Sequence, residues 1–243
     1  MKFILTGLVF LAATTVFAGA IQNRVGLFYK IGEKGDKYLY KQETKVEITD
    51  DMNRKTDSKI VDPDGKILMR ETATIENGMV IDQTMEQLQI NEKYVLQVRD
   101  NKAHFQTFDI KDPANPKLKD ENTVKIDANF FTGPSLEVFI KKNLAGFKAK
   151  KEQDVDFGIF ELQKPISFDV NQTKKIFSDN KDFLPLKMEV SSTLLSFFAD
   201  PLLLEVDPDT AMLRRYRGRT PVRYLKGKKL EPFDGDIYYE LEK

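Results

Sequence analysis

The stretch of sequence that decides the fold is residues 55–89, KTDSKIVDPDGKILMRETATIENGMVIDQTMEQLQ. Runs rich in β-forming residues are separated here by two turn motifs, Asp62-Pro63-Asp64-Gly65 and Asn77-Gly78. Proline presets one backbone dihedral and glycine accepts a positive φ, so the first motif predicts a tight turn. Asn-Gly between alternating runs is the strongest short hairpin signal. The stretch therefore predicts three consecutive antiparallel strands.

The same pattern extends outward from this stretch. Lys37–Thr49 precedes it, and Tyr94–Arg99 and Lys102–Phe108 follow it, which gives about six sequential strands. Alternate positions of a strand share a face, and on 67–75 one such face is apolar. The residues of that face are Ile67, Met69, Ala73 and Ile75. A sheet with one apolar face needs another element to cover it.

Pro134–Leu144 is the best helix candidate for that cover. Proline is tolerated in the first turn, apolar side chains recur at helical spacing, and Gly146 is expected to stop the helix. The apolar positions are Leu136, Phe139, Ile140 and Leu144. The helix is expected to pack on the sheet as core, with a gate over a ligand cavity as the alternative.

A second set of strands follows the helix, whereas the polar segment 109–125 is expected to be a loop or a frayed hairpin. The predicted strands are Asp156–Gln163, Ile166–Val170, Leu184–Ser191, Leu202–Val206, Met212–Arg217 and Ile237–Leu241. The predicted fold is a mostly β (β-rich α+β) chain. It is a curved antiparallel sheet or half-barrel of about 10 to 12 strands, with one principal helix on its concave side.

The amino terminus predicts export. Lys2 precedes an apolar run from Phe3 to Phe17, followed by small residues, so residues 1–20 form a signal peptide cleaved after Ala18 or Ala20. Residues 21–243 then form a single β-rich domain. The sequence contains no cysteine, so the exported chain cannot be anchored through a lipidated thiol. These features favour a soluble protein of the periplasm and leave secretion beyond the outer membrane open.

Charge and hydropathy exclude two classes of partner. The 38 basic and 38 acidic side chains balance, so no net field recruits nucleic acid. No later segment approaches the roughly 18 apolar residues of a membrane-spanning helix, so no span is expected after signal cleavage. No cofactor is expected, because no cofactor-binding motif is evident in the sequence.

Catalytic residues are scarce. Without cysteine and with His104 as the only histidine, nucleophile–base pairs and multi-histidine metal sites are excluded, so no enzyme and no metal site are expected. His104 is expected to be an ordinary strand residue. Asp154, Asp156 and Glu86 keep a carboxylate-dependent hydrolase as a third hypothesis, since two facing carboxylates suffice for glycoside hydrolysis.

The densest basic segment is Arg214–Arg219. On a strand, Arg215, Arg217 and Arg219 lie on one face and form a ladder that could bind phosphate or carboxylate groups. The alternative is a solvated edge strand whose charge prevents aggregation.

Apolar residues away from the regular strands suggest a lining for the concave side. If the sheet curls, they leave room for an acyl chain or another apolar ligand; otherwise they fill the core. The candidate lining residues are Phe130, Phe131, Leu136, Phe139, Ile140, Leu194, Leu195, Phe197 and Phe198.

Several motifs carry a family resemblance. They are Val61-Asp62-Pro63-Asp64-Gly65, Phe198-Ala199-Asp200-Pro201-Leu202, Asp207 and Arg214-Arg215-Tyr216-Arg217-Gly218. The chain resembles uncharacterised bacterial exported proteins with a curved antiparallel sheet. That architecture is similar to the periplasmic lipoprotein carriers of the Lol pathway, in which a half-barrel closed by helices holds acyl chains. The resemblance implies no functional residue.

The sequence thus favours a periplasmic soluble binding or carrier protein for an apolar or amphipathic, lipid-like ligand. The main alternative is a non-catalytic structural or interaction module of the cell envelope, with an envelope protein as its partner. An enclosed apolar cavity of roughly 300 Å3 or more would favour the carrier.

Overall fold

The computed structural model describes residues 19–174, 182–191 and 200–242. Within these ranges fifteen strands form one sheet, accompanied by one principal helix, α1 (Leu136–Lys148). Two short 3-10 turns lie at Gly133–Ser135 and Phe160–Leu162. The strands are β1 (Ala20–Lys30), β2 (Tyr40–Ile48), β3 (Arg54–Val61), β4 (Ile67–Glu76), β5 (Met79–Gln87), β6 (Glu92–Arg99), β7 (Lys102–Asp109), β8 (Lys117–Lys125), β9 (Phe130–Phe131), β10 (Gln153–Ile159), β11 (Lys164–Gln172), β12 (Leu184–Val190), β13 (Leu202–Val206), β14 (Leu213–Lys226) and β15 (Lys229–Leu241).

The path of the chain through the sheet runs from the centre to each edge in turn. Strands β1 to β8 lead outward to one edge, the chain then crosses to β9 at the other edge, and after α1 strands β10 to β15 return to the centre. There β15 pairs antiparallel with β1, with Phe28 opposite Ile237. Among the described strands, only the short β9–β10 pair is parallel. The predicted mostly β, curved and unclosed sheet is confirmed.

The described residues contain more strands than the expected 10 to 12, because three segments were not predicted as strands. These are β1, β8 and β9. Strand β8 replaces part of the expected loop at 109–125, and nearly all of its side chains are exposed. A highly charged edge strand resists pairing with a second molecule, which explains why the sequence of β8 lacks apolar alternation.

The turn motifs form as the sequence predicts. Gly65 N donates to Asp62 O at 3.0 Å, and Gly65 adopts a φ of 82°. Asn77 and Gly78 both have positive φ, at 52° and 81°, as a two-residue hairpin of the favoured twist requires.

The helix extends beyond its predicted end. Gly146 is helical, and α1 continues to Lys148. Phe147 is fully buried, so the last turn is held against the core by its side chain. The left-handed residue that ends the helix is Lys150, with a φ of 58°, whose N–H bonds to Phe147 O at 2.9 Å.

Curvature brings the two halves of the sheet together along a seam. Asn122 Nδ2, on β8, donates to Gln163 O at 3.0 Å, and Gln163 Nε2 donates to Thr107 Oγ1 at 3.0 Å. Between these bonds the Phe160 ring inserts against Tyr94 and Phe105, with centroids 5.6 and 6.0 Å away. The seam is therefore closed by side chains and not by a strand ladder.

Each end of the curved sheet is covered by a different element. Lys141 of α1 forms an ion pair with Asp51 in the β2–β3 hairpin. At the opposite end the β14–β15 hairpin bends inward, where Gln89 donates to Arg223 O at 2.6 Å and accepts from Arg223 N at 2.8 Å. Val222 of this hairpin is completely buried. Side-chain and backbone contacts thus tie one element to the sheet at each end.

Two apolar clusters fill much of that interior. The first cluster lies on β1 to β7 and includes Phe28, Ile60, Met69, Leu96 and Phe105. The second cluster joins α1 to β10–β14 and includes Phe131, Ile140, Phe147, Leu186 and Leu204. Among the described residues, no helix has both the length and the apolar character needed to cross a membrane.

Candidate functional site

A row of polar side chains crosses the inner face of the sheet. Arg24 on β1 is opposite Thr44 on β2, Thr44 is opposite Ser58 on β3, and Ser58 is opposite Glu71 on β4. Because directly opposed residues share a face, these four side chains point the same way as the buried Phe28, Ile60 and Met69. The interior therefore contains a polar strip beside the first apolar cluster.

Glu71 and Gln83 form one end of this polar region. Gln83 Nε2 donates a hydrogen bond of 2.8 Å to Glu71 Oε1. Burial raises the pKa of Glu71 to about 7, and the bond from Gln83 opposes that rise without cancelling it. Glu71 is thus a carboxyl group that changes charge near neutral pH.

Arg24, Arg54 and Glu137 form the other end. Arg24 Nη1 pairs with Glu137 Oε2, and Arg54 Nη1 lies 3.6 Å from the same oxygen. Glu137 Oε1 accepts from Leu213 N at 2.8 Å, so both carboxylate oxygens are used. Burial lowers the pKa of Arg54, while Glu137 acts to raise it. Two guanidinium groups share one carboxylate, which leaves a local excess of positive charge.

Tyr239 lies between these two ends. Burial is the main cause of the raised pKa of its hydroxyl, and Tyr216, Glu137 and Glu71 contribute in the same direction. Its ring fits because the opposite residue on β1 is glycine: a Cβ at Gly26 would lie 2.9 Å from Tyr239 Cε1. Tyr239 and Tyr216 both pack against both apolar clusters. The polar region therefore sits at the junction of the two clusters.

Several polar atoms of this region have no hydrogen-bond partner among the described residues. They are Arg24 Nε, Arg54 Nε and Gln83 Oε1. Gln83 is 3% exposed and Arg54 is 8% exposed. A buried polar atom without a partner costs about 1 to 3 kcal/mol. The site offers donors at one end and an acceptor at the other, and it can hold a group that satisfies them.

Sequence reasoning missed this site, although one signal for it was present. Glu71 occupies the position between Met69 and Ala73 on the apolar face of β4. A charged residue in an apolar row indicates a buried polar group. No comparable signal marks Arg54 or Glu137, because only the fold brings β3 next to the first turn of α1.

The three arginines of the predicted anion ladder lie beside acidic side chains. Asp236, 1% exposed, accepts from Arg215 Nη2 at 2.9 Å and from Arg217 Nε at 2.6 Å. Arg219 Nε donates to Asp234 Oδ1 at 2.6 Å. Arg215 also lies over the Tyr238 ring, 4.5 Å from its centroid. Anion binding by these residues stays a prediction, and their resolved partners are carboxylates.

Five of the nine predicted apolar lining residues lie within the described part of the chain. Phe130 belongs to the first cluster, Phe131, Phe139 and Ile140 belong to the second, and Leu136 is a partly buried neighbour of the second. The Phe131 and Phe139 rings stack with centroids 4.8 Å apart. The remaining candidates lie outside the described residues: Leu194, Leu195, Phe197 and Phe198. Ligand contact by any of these residues stays a prediction.

Of the carboxylates of the hydrolase hypothesis, Asp154 is exposed, whereas Asp156 and Glu86 are half-buried. Asp156 accepts from Ser167 Oγ at 2.7 Å. Asp154, Glu152 and Asp169 bring one carboxylate oxygen each within 4.8 Å of one another, and Glu152 and Asp154 are exposed. His104 Nδ1 contacts Thr123 Oγ1 at 2.8 Å on the outer strands. Glu86 lies between Arg70 and Lys93 at 3.9 and 4.0 Å.

Two open clefts mark the outer side of the sheet. One of about 410 Å3 is bordered mainly by charged residues, including Glu43, Lys45, Asp57 and Lys59. The other, of about 290 Å3, includes Lys55, Thr72 and Asp82. Both are polar and open, so neither resembles a site for an apolar chain.

Comparison with known proteins adds a structural neighbour. No protein-family model matches the chain, and no curated protein sequence matches it. Among solved structures, it is similar to a β-barrel-like protein of the domain of unknown function DUF1849 from Brucella abortus. The identity is 8%, the TM-score is 0.40, and the match covers 92% of this chain and 95% of that chain. The resemblance to the lipoprotein carriers stays a prediction, and function is argued from the site.

Proposed function

We propose that the protein is an exported, periplasmic binding or carrier protein that holds an amphipathic ligand inside the curved sheet. The observation that carries the proposal is the set of buried, unpartnered polar atoms at the junction of the two apolar clusters. A ligand with a polar head and an apolar body would meet both kinds of surface at once.

The energetic argument favours an occupant over a purely structural polar region. Gln83 Oε1 and Arg54 Nε are buried without a partner in the described part of the chain, and each is expected to cost about 1 to 3 kcal/mol. Binding sites commonly combine an apolar lining with a few placed polar groups, whereas structural cores pair such groups internally. A bound head group would supply the missing hydrogen bonds.

The elements that cross both ends of the sheet favour a protein that retains its ligand over an enzyme that releases product rapidly. Residue Lys141 of α1 is tied to the β2–β3 hairpin, and the β14–β15 hairpin is tied to Gln89. A ligand held between these elements would be shielded from water over most of its length. The proposed role is therefore non-catalytic binding.

A second candidate is a structural module of the cell envelope. It is favoured by the packing of the predicted lining residues on one another, in particular the stack of Phe131 on Phe139. In that case the interior would be core and the protein would act through its surface.

Native mass spectrometry of the protein purified from its own periplasm tests the proposal. The carrier hypothesis expects the chain in the periplasmic fraction, with an additional mass that organic solvent removes and that has an apolar portion. A bare chain that also fails to shift the fluorescence of any lipophilic dye would reject the carrier and favour the envelope module.

A further inference from the structure

Glu71 is a carboxylate without a cationic partner. It lies on the inner face of β4, opposite Ser58 on β3 and Met85 on β5. The one hydrogen bond to its side chain comes from Gln83, and among the described residues no lysine, arginine or histidine pairs with it. A carboxylate on the inner face of a sheet normally has such a partner, because a charge that is largely removed from water is unfavourable when it is left alone.

Gln83 adds a second acceptor beside this carboxylate. An ionised carboxylate accepts hydrogen bonds and cannot donate, so the Gln83 amide must present Nε2 to Glu71 Oε1. Its carbonyl oxygen Oε1 then faces elsewhere, and it is buried without a partner among the described residues. The amide orientation therefore follows from the chemistry of the pair. The site combines one negative charge with one neutral acceptor.

Tyr239 lies on the same inner face as Glu71, opposite Gly26 of β1. Its hydroxyl has no hydrogen-bond partner in the described part of the chain, and its pKa responds to Glu71 across the interior. Glu71 and Tyr239 are each only partly covered by their neighbours, although both lie on the inner side of the sheet. The described side chains thus leave space next to these two groups.

We infer that Glu71, Gln83 and Tyr239 bind a primary ammonium group carried by the amphipathic ligand. This inference rests on the proposed function and names the chemistry of its polar head. A primary ammonium has three N–H donors and no acceptor, as a lysine side chain does, and it matches a carboxylate, an amide oxygen and a phenol oxygen. An anionic head would be repelled by Glu71, and a quaternary ammonium has no N–H to donate.

Apolar side chains of the first cluster lie next to Glu71. Met69 and Met85 flank Glu71 on the inner face, and Tyr94 is opposite Met85 on β6. Methionine side chains adapt to irregular partners, which suits an alkyl chain of variable length. The ammonium end and the chain would therefore occupy adjoining parts of one site.

The test uses the full exported chain and three probes that share a decyl chain: decylammonium, decan-1-ol and decanoate. Affinity is measured by calorimetry at about pH 8, where an alkylammonium keeps its proton. Each probe is used below its critical micelle concentration. Glu71→Gln removes the charge while keeping the shape. Glu76→Gln, on the same strand but exposed, is the matched control. Tyr239→Phe removes only the hydroxyl.

Decylammonium is expected to bind most tightly. Glu71→Gln should weaken decylammonium binding by at least about tenfold, and Tyr239→Phe should weaken it by a smaller factor. The reason is that an ammonium binds a charged carboxylate more strongly than a neutral phenol oxygen. Glu76→Gln should leave the affinity unchanged. Neither decanol nor decanoate binding should weaken in Glu71→Gln.

The other outcomes separate this inference from the proposed function. If decylammonium and decanol bind equally and Glu71→Gln has no effect, or if decanoate binds most tightly, the ammonium site is wrong and an amphipathic carrier survives. If none of the three probes binds to the wild-type chain, both the ammonium site and the carrier proposal are rejected.

Discussion

Gln83 Nε2 donates a 2.8 Å hydrogen bond to Glu71 Oε1, and this bond joins two polar side chains on the inner face of β4 and β5, beside the apolar side chains of the first cluster. Because the carboxylate takes the amide N–H, the amide oxygen is left without a partner among the described residues. The pair therefore determines both the charge and the hydrogen-bonding character of the interior.

Glu71 is expected to make stability depend on pH. Its pKa is raised from 4.5 to about 7 by burial, so the folded chain binds a proton that the unfolded chain releases. This contribution to stability is fully present below about pH 4.5 and is lost as the pH rises through about 7. Among the described residues, Tyr239 of β15 is the titratable group coupled to Glu71, and Gln83 contributes the hydrogen bond from β5.

Glu71→Gln removes this titration. At about pH 8 the variant should be more stable than the wild type by about 1 to 3 kcal/mol, and at about pH 5 the two should be nearly equal. Urea unfolding at both pH values measures the difference. A variant that is less stable at about pH 8 would show that the charged carboxylate is stabilising, which the structure does not predict.

Asp236 is expected to stabilise the folded chain through its ion pairs on the outer face of β14 and β15. Burial alone would raise the pKa of its carboxyl, but hydrogen bonds from Arg217, Gly32 N and Arg215 lower it below the usual value. Asp236→Asn leaves two guanidinium groups with a neutral partner, so the free energy of unfolding should fall by about 3 kcal/mol.

The matched control for this change is Asp234→Asn, which removes the exposed partner of Arg219 two residues away from Asp236 on the same strand. Its effect on urea unfolding should be within about 1 kcal/mol. Equal effects of the two substitutions would contradict the assignment of Asp236 as the buried centre of the cluster.

Phe160 is expected to hold the seam closed. Its ring packs between Tyr94 and Phe105. Phe160→Ala should lower the free energy of unfolding by about 3 to 5 kcal/mol and speed amide hydrogen exchange in β7 and β8. Leu162→Ala, in the same turn but 55% exposed, should change stability by no more than about 0.5 kcal/mol. Unchanged exchange in Phe160→Ala would mean that the seam does not depend on this ring.

Gly26 is expected to be required for the position of Tyr239. A Cβ at this position would lie 2.9 Å from Tyr239 Cε1 and 3.2 Å from Ile237 Cγ2. Gly26→Ala should therefore cost about 1 to 3 kcal/mol and shift the ring signals of Tyr239 in NMR spectra. Gly133→Ala is the control, because nothing lies within 4 Å of its added Cβ. Unmoved Tyr239 signals would show that the ring does not need the space above Gly26.

The sequence predicted the fold well where turn chemistry is local. Asp62-Pro63-Asp64-Gly65 and Asn77-Gly78 form turns with the expected positive φ values, and each fixes the register of the adjoining strands. Strand β8 was not predicted, because nearly all of it is exposed and it has no apolar alternation. The helix end was misplaced because tertiary burial of Phe147 overrides the tendency of Gly146 to stop a helix.

The candidate site was harder to predict, because its members are far apart in sequence. Arg24 and Glu137 are separated by 113 positions, and their contact depends on α1 crossing one end of the sheet. The arginines at 215, 217 and 219 were correctly placed on one face. Their acidic partners on β15 could not be assigned, since the predicted last strand began only at Ile237.

The most direct test of the central claim is an NMR experiment on the full exported chain with methyl-labelled methionine and decylammonium. The Met85 methyl lies on the inner face beside Glu71, so nuclear Overhauser effects should connect it to the alkyl chain of the probe. Those contacts should disappear in Glu71→Gln and persist in Glu76→Gln. Contacts only to outer-face side chains, with no change in the Met85 signal, would contradict a ligand site inside the curved sheet.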